Sequence, residues 1–170
     1  HRIREGLPPV SAKDDRGDFF VVARTDPKEA RATVVELVTK RIPARFGLDP
    51  VRDIQVLTPM HKGDAGVEAL NEELGRVLNP VHGASVGRGG RTLAVGDKVM
   101  QLKNDYDRDV YNGDVGIVAS VEPEDRTVVV RIDDRLVEYD ENALSALTPA
   151  FAVTIHKSQG SEYPAVVIPW

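Results

Sequence analysis

A chain of 170 residues with 41% hydrophobic and 29% charged content has the composition of an ordinary globular protein, with room for one moderate core or one core plus a small inserted module. Its formal net charge of −5 excludes a strongly basic, DNA-coating protein, because such a field repels phosphates and leaves only local DNA contacts. There is no apolar run near the roughly 18 residues of a membrane span, no secretory signal pattern and no cysteine for disulfides or thiolate metal sites, so a cytoplasmic location is expected.

The first stretch, His1 to Pro9, reads as the end of a helix running into a Pro-Pro turn. Phe19 to Ala23 (FFVVA) is wholly apolar and predicts a strand covered on both faces. Asp26-Pro27-Lys28-Glu29 combines an N-cap aspartate, proline at the first helical position and glutamate three residues after the cap. The helix it starts carries Ala30, Val34, Leu37 and Val38 on one face and is expected to run to Arg41, with Pro43 ending it. Ile54 to Thr58 is a second β-rich run, followed by a turn at Pro59 to Gly63. Val67, Leu70, Leu74 and Leu78 define one face of a helix predicted from Ala65 to Leu78, stopped by Asn79-Pro80. Gly83 to Arg91 lacks hydrophobic periodicity and predicts a flexible connection.

From Leu93 to Leu147 the character changes. Short β-prone runs at Lys98–Leu102, Gly116–Val121, Thr127–Ile132 and Leu136–Tyr139 alternate with turns at Asn112-Gly113-Asp114, Glu124-Asp125 and Asp133-Asp134, the pattern of a small barrel or sandwich. This segment is also the acidic one. Residues 93–147 hold 13 acidic against 6 basic residues, whereas residues 1–92 hold 15 basic against 13 acidic and residues 148–170 balance. Beyond it the Phe151 and Val166 runs resume an α/β pattern. The chain therefore divides into 1–92, 93–147 and 148–170, an α/β unit interrupted by a β module.

The densest chemistry lies at Ala150 to Glu162, where an apolar strand breaks into Thr154-Ile155-His156-Lys157-Ser158-Gln159-Gly160-Ser161-Glu162. The C-terminal ends of strands are where open α/β sheets place ligands, and glycine there lets backbone approach a bound group. This stretch resembles helicase motif V of superfamily 1, in its RecD-like branch. Asp53–Gly63 (DIQVLTPMHKG), Leu70–Pro80 (LNEELGRVLNP) and Val95–Gly116 (VGDKVMQLKNDYDRDVYNGDVG) resemble further blocks of that family, in the family's order. The resemblance implies a partial RecA-like parallel sheet with helices, the motor domain 2A, interrupted by an SH3-like β-barrel insert, subdomain 2B. It also implies a superfamily 1B enzyme that uses ATP and Mg²⁺ to move 5′ to 3′ on single-stranded DNA in recombination or repair. Its implied partners are single-stranded DNA, the remaining helicase domains and subunits of a nuclease complex, with no membrane.

Carried over residue by residue, the resemblance puts Thr154 and His156 on the DNA side, where a hydroxyl and an imidazole N–H donate to phosphate oxygens. Gly160 and Glu162 fall on the nucleotide side, with Glu162 accepting from a ribose hydroxyl, and Lys157, Ser158 and Gln159 couple the two. Thr58, His61 and Lys62 occupy the equivalent loop after the earlier strand and offer three more donors, Lys62 as a point charge. In the insert, Lys103 and Tyr106 lead a polar and aromatic edge that includes Lys98, Asn104, Arg108, Tyr111 and Asn112; tyrosines stack on bases without sequence preference. Asp105, Asp107, Asp109 and Asp114 interleave with that edge and oppose phosphate. Taken singly, each of these residues is also what an ordinary turn or solvated loop carries. The alternating aspartates lack the glycine and distal glutamate of an EF-hand loop, so no metal site is predicted.

No G-x-x-x-x-G-K-S/T sequence is present, and the acidic strand-end pair that holds Mg²⁺ is missing too. The family's transition-state arginine belongs to a motif expected beyond Trp170. The chain is accordingly expected to be a segment of a motor with no catalytic residue, no cofactor and no ATPase activity of its own. The alternative from sequence is a noncatalytic protein-interaction module that docks a partner on the acidic β insert.

Overall fold

The computed structural model describes residues 2–7, 10–11, 17–80, 83–88 and 91–170. The first helix starts as its sequence dictates. Asp26 Oδ1 accepts the backbone N–H groups of Lys28 and Glu29 at 2.7 and 3.1 Å, and Pro27 occupies a position with no N–H to lose. Helix α1 spans Pro27–Glu36, a π-turn follows over Leu37–Arg41, and α2 spans Ile42–Phe46. Pro43 therefore does not end the helix as expected. The Ile42 N–H reaches back five residues to the Leu37 carbonyl. This widened turn just ahead of the proline relieves the clash its ring makes with the preceding turn. Gly47 ends the helix instead, at φ 67°, with its N–H on the Pro43 carbonyl.

Among the described residues ten strands follow in chain order: β1 Ile54–Thr58, β2 Ser85–Arg88, β3 Arg91–Ala94, β4 Lys98–Gln101, β5 Val115–Glu122, β6 Thr127–Ile132, β7 Arg135–Tyr139, β8 Leu147–Pro149, β9 Ala152–Thr154 and β10 Ala165–Val167. The expected strand at Phe19–Ala23 is not among them, and Phe20 and Val21 are exposed. An apolar run becomes a strand only where a neighbour completes its backbone hydrogen bonds, and none of the three sheets includes this run. Phe20 packs instead against Phe46 at 6.4 Å, with the Arg45 guanidinium 4.6 Å from its ring centre. Arg2–Glu5 forms a 3-10 turn; Pro8 and Pro9, on which the expected turn rests, lie outside the described residues.

β1 is the middle strand of a parallel sheet in the order β10-β1-β9, and all five of its residues are buried. Helix α3 (Val67–Leu78) covers it, driving the fully buried Leu70 and Leu74 into a core with Val34, Val38, Ile54, Val56 and Phe151. The insert is an antiparallel sheet in the order β7-β6-β5-β4-β8, with a register shift between Val118 and Ser120 that bends β5. Its core includes Val118, Val128, Val130, Val137 and Tyr139. The turn expected at Asp133-Asp134 joins β6 to β7, Asp133 taking φ 51°, a conformation aspartate tolerates better than most residues. In the connection expected to be flexible, 83–91, the described residues include β2 and the start of β3. β2 and β3 pair antiparallel, and Val86 and Leu93 join the insert's core. Glycines at 83 and 87 dilute its alternation, so only burial against the barrel identifies it.

Two polar side chains fasten the insert to the parallel sheet. Lys98, 3% exposed, donates from Nζ to the Ile54 carbonyl at 3.1 Å. The fully buried Gln55 amide donates to the Ala150 and Phe151 carbonyls at 3.1 and 3.2 Å. Between them Leu57, Met100, Ala150 and Val153 form an apolar seam. Burial lowers the Lys98 ammonium from 10.5 to about 8, against the raising pull of Asp49 and Asp53. With the folded pKa below the unfolded one, the unfolded chain holds more protons across this window, so stability rises with pH from about 8 towards 10.5. Tyr139 acts oppositely but later: burial raises its phenol to about 12, so its contribution is lost only as pH rises above 10. Urea unfolding between pH 8 and 9.5 isolates the lysine. The expected rise is on the order of 1 kcal/mol per pH unit, and Lys98→Met should flatten it; an equal slope in both proteins would refute the assignment.

Candidate nucleic-acid interface

The parallel pairing of β1 and β9 aligns Leu57 with Val153 and Thr58 with Thr154. Both strands therefore end at the same sheet edge, and the loops that follow them leave side by side. On the first loop, the buried Thr58 hydroxyl donates to the Ala65 carbonyl at 2.9 Å and accepts the Met60 N–H at 3.3 Å. Its hydrogen bonds thus shape the loop from within. The Met60 and His61 carbonyls accept the Val67 and Glu68 N–H groups at 3.0 and 3.2 Å, satisfying donors that the first turn of α3 leaves open. This anchored turn presents His61 and Lys62 to solvent.

On the second loop, Thr154 is buried at the end of β9 and Ile155–Ser158 forms a 3-10 turn. Ser158, also buried, donates from Oγ to the Ile155 carbonyl at 2.9 Å, so its hydroxyl braces the turn. His156 and Gln159 are exposed. Gly160 takes φ 89°, a conformation that favours glycine, and the chain then leads to an exposed Glu162. Lys157 donates from Nζ to Asn112 Oδ1 of the insert at 2.7 Å. A cleft of about 720 Å³ between α3 and the insert brings His61, Thr154 and Lys157 together, walled by Glu68, Asn71 and Met100. Thr58, Lys62, His156, Gly160 and Glu162 do not line it.

Lys103 and Tyr106 lie apart from the cleft on the insert. The Lys103 side chain is exposed, while its carbonyl accepts from Gln101 Nε2 at 2.8 Å; Gln101 Oε1 in turn accepts from the buried Tyr139 hydroxyl at 3.1 Å. Tyr106 is 76% exposed and meets Tyr111 edge to face, with ring centres 6.2 Å apart. Three of the aspartates around them are engaged within the insert. Asp105 pairs with Arg108 at 2.7 Å, and that guanidinium holds its carboxyl below the usual carboxylate range. Asp109 pairs with Arg135 at 3.0 Å and accepts the Tyr111 hydroxyl at 2.9 Å, which pushes the Tyr111 phenol upward. Asp114 accepts the Tyr111 N–H at 2.7 Å. Repulsion of phosphate by these groups is therefore weaker than their sequence suggests.

One structural residue escaped the sequence. Asn71, on α3, donates to the Ala152 carbonyl at 2.7 Å and accepts the Ala152 N–H at 3.0 Å, standing in for a strand at the free edge of β9. A polar residue beside the Leu70–Leu74 stripe carries no signal of that role, because the pairing exists only once α3 lies along β9.

A parallel sheet with polar loops at one edge, interrupted between β1 and β9 by a small antiparallel barrel, is a partial RecA-like fold with an insert. The structure of Pif1 helicase from Bacteroides in complex with ADP-AlF3 and single-stranded DNA shares that fold, with a TM-score of 0.51 at 22% identity over 88% of this chain and 44% of that one. Residues 70–132 match the family model of the ATP-dependent RecD-like DNA helicase SH3 domain, and residues 149–170 that of the UvrD-like helicase C-terminal domain. An ATP-dependent RecD2 DNA helicase of Deinococcus radiodurans is 38% identical over 119 residues, 67% of this chain and 16% of that protein. The RecBCD enzyme subunit RecD of Haemophilus influenzae is 32% identical over 115 residues, 68% of this chain and 17% of that protein. The chain is thus similar to the RecD-like DNA helicases over these segments, and it spans about a sixth of the length of these relatives.

Proposed function

We propose that this chain is the part of an ATP-dependent, superfamily 1B DNA helicase that grips the single-stranded backbone and couples that grip to nucleotide. The observation that carries this is the alignment of Thr58 with Thr154, which sets the two polar loops next to each other at one sheet edge. His61, Lys62 and His156 are the exposed donors, suited to successive phosphate oxygens. Thr58 holds the first loop in shape, and Thr154 opens into the cleft beside His61. Lys103 and Tyr106 extend the contact onto the insert, the lysine along the backbone and the tyrosine against a base.

On the nucleotide side, Gly160 turns the chain and Glu162 offers an exposed carboxylate that fits a ribose hydroxyl. No group of three or more His, Cys, Asp or Glu suited to a metal occurs among the described residues. ATP with Mg²⁺ supplies the driving force when bound, and this chain's share is the ribose contact and the coupling through Lys157, Ser158 and Gln159. Movement 5′ to 3′, a role in recombination or repair, and association with nuclease subunits complete the proposal. The rival role as an acidic docking module is less favoured, because Asp105, Asp109 and Asp114 are already engaged within the insert.

The test uses the full-length protein and fluorescent oligo(dT) at several salt concentrations. Lys62→Ala is expected to weaken binding about tenfold and to lower the salt slope by about 1. Glu162→Gln is expected to raise the KM for ATP several-fold while leaving DNA affinity unchanged. Wild-type affinity and slope in Lys62→Ala and His156→Ala would sink the proposed grip.

A further inference from the structure

Lysine at the surface of a turn is ordinarily solvated, yet Lys157 is half-buried and tied to a residue 45 positions away in the insert. A continuous line of contacts leads on from that bond. The Asn112 N–H donates to Asn104 Oδ1 at 2.9 Å, Asn104 Nδ2 donates to the Tyr106 hydroxyl at 3.2 Å, and Tyr106 meets Tyr111. Gly113, at φ 104°, lies near the turn: a Cβ added to it would stand 3.8 Å from the Lys157 carbonyl oxygen, in ordinary contact.

Both ends of this line are stiff. Asp105 and Val110 exchange backbone hydrogen bonds at 2.8 and 3.0 Å, the Asp105–Arg108 pair closes the hairpin further, and the Asp109–Arg135 pair ties it to β7. Across the bond, Ser158 braces the 3-10 turn. A displacement of the turn would therefore shift the hairpin as a unit rather than dissipate inside it. The exposed ends of the hairpin are the two tyrosines, 76% and 45% exposed.

We propose that Lys157 is a positioning residue that carries movement of the 155–160 turn to the Tyr106–Tyr111 pair, so that base stacking on the insert follows the nucleotide state sensed at Gly160 and Glu162. This rests on the proposed function above. It assigns the Lys157 ammonium to the insert rather than to a DNA phosphate, and it makes the tyrosine edge a regulated contact.

The experiment places 3-fluorotyrosine at position 106 of the full-length protein and follows its fluorine resonance with and without ADP–aluminium fluoride. A nucleotide-dependent shift is expected in the wild type. Lys157→Met, which keeps the apolar stem, and Asn112→Ala should each abolish that shift, the double variant should do no more, and Lys157→Arg, which keeps a donor, should restore it. A parallel titration with an oligonucleotide carrying 2-aminopurine reads stacking, with the quench in Lys157→Met falling to that of Tyr106→Ala. An intact nucleotide response in Lys157→Met overturns the proposal, as does a wild type with no response. So does a Lys157→Met protein whose DNA salt slope drops by about 1 while Asn112→Ala behaves as wild type, since that marks a direct phosphate contact. Failure of the grip itself is distinguishable, because it shows in Lys62→Ala affinity and leaves the fluorine measurement standing.

Discussion

Gly66→Ala is expected to destabilise the protein by about 3 kcal/mol, the upper range for overpacking a site that cannot yield. An alanine Cβ at this position would lie 2.5 Å from the Lys62 carbonyl oxygen, 2.6 Å from the Lys62 carbonyl carbon and 2.8 Å from the His61 carbonyl oxygen. Those atoms are backbone, so no rotamer change relieves the contact. Gly66 itself sits at φ −82°, a conformation open to any residue, so the penalty comes from space alone. The clash falls on the turn that presents His61 and Lys62. Gly66→Ala should therefore weaken oligo(dT) binding by the full-length protein at least as much as Lys62→Ala does. Gly63→Ala is the contrast: φ is 92° there and nothing lies within 4 Å of the new Cβ, so strain of about 1 kcal/mol is expected without a clash. Urea unfolding of the three proteins checks the order, and a Gly66→Ala protein as stable as wild type would show that the loop yields freely.

Asn71→Ala is expected to cost a similar amount, about 3 kcal/mol, for a different reason. The change strips partners from the N–H and carbonyl of Ala152, a fully buried residue, and an unsatisfied buried backbone group costs about 1–3 kcal/mol. Asn71→Asp retains the acceptor but sets a carboxylate oxygen against the Ala152 carbonyl, so it should not rescue. The neighbouring Glu72 is exposed, and Glu72→Ala should stay within about 0.5 kcal/mol of wild type. Because β9 ends at Thr154, hydrogen exchange should quicken at Ala152 and through the 155–160 turn in Asn71→Ala. Unchanged exchange at Ala152 would mean that the amide does not serve as the edge partner.

Much of the architecture was legible because it is written in local rules. The Asp26-Pro27 start, the Leu70–Leu74 stripe and four of the five strands in the insert's sheet depend on caps and periodicities that act within a few residues. The misreadings share a cause as well. Phe19–Ala23 has the composition of a strand, but a strand needs a neighbour. The hairpin at β2 and β3 has the composition of a linker, but Val86 and Leu93 find a core to enter. Pro43 reads as a stop, but the π-turn ahead of it makes room for its ring.

The candidate site divides in the same way. The dense polar run from Thr154 to Glu162 marked a candidate strand end on residue type alone, and the blocks in order indicated the resemblance to helicases. Which polar groups are free was invisible. Thr58 and Ser158 turn inward to brace their loops, Asp105 and Asp109 of the insert find arginines, and Lys157 finds Asn112. The decisive pairs are Lys157–Asn112, Asn71–Ala152 and Gln55–Ala150, separated by 45, 81 and 95 residues. By itself the sequence determined the family resemblance, most of the kinds of element and the chemical groups brought to the site. The tertiary structure alone decided which of those groups still face solvent, because a polar side chain bonds to whatever the fold places within about 3 Å of it, and in this chain the partners come from far away in sequence.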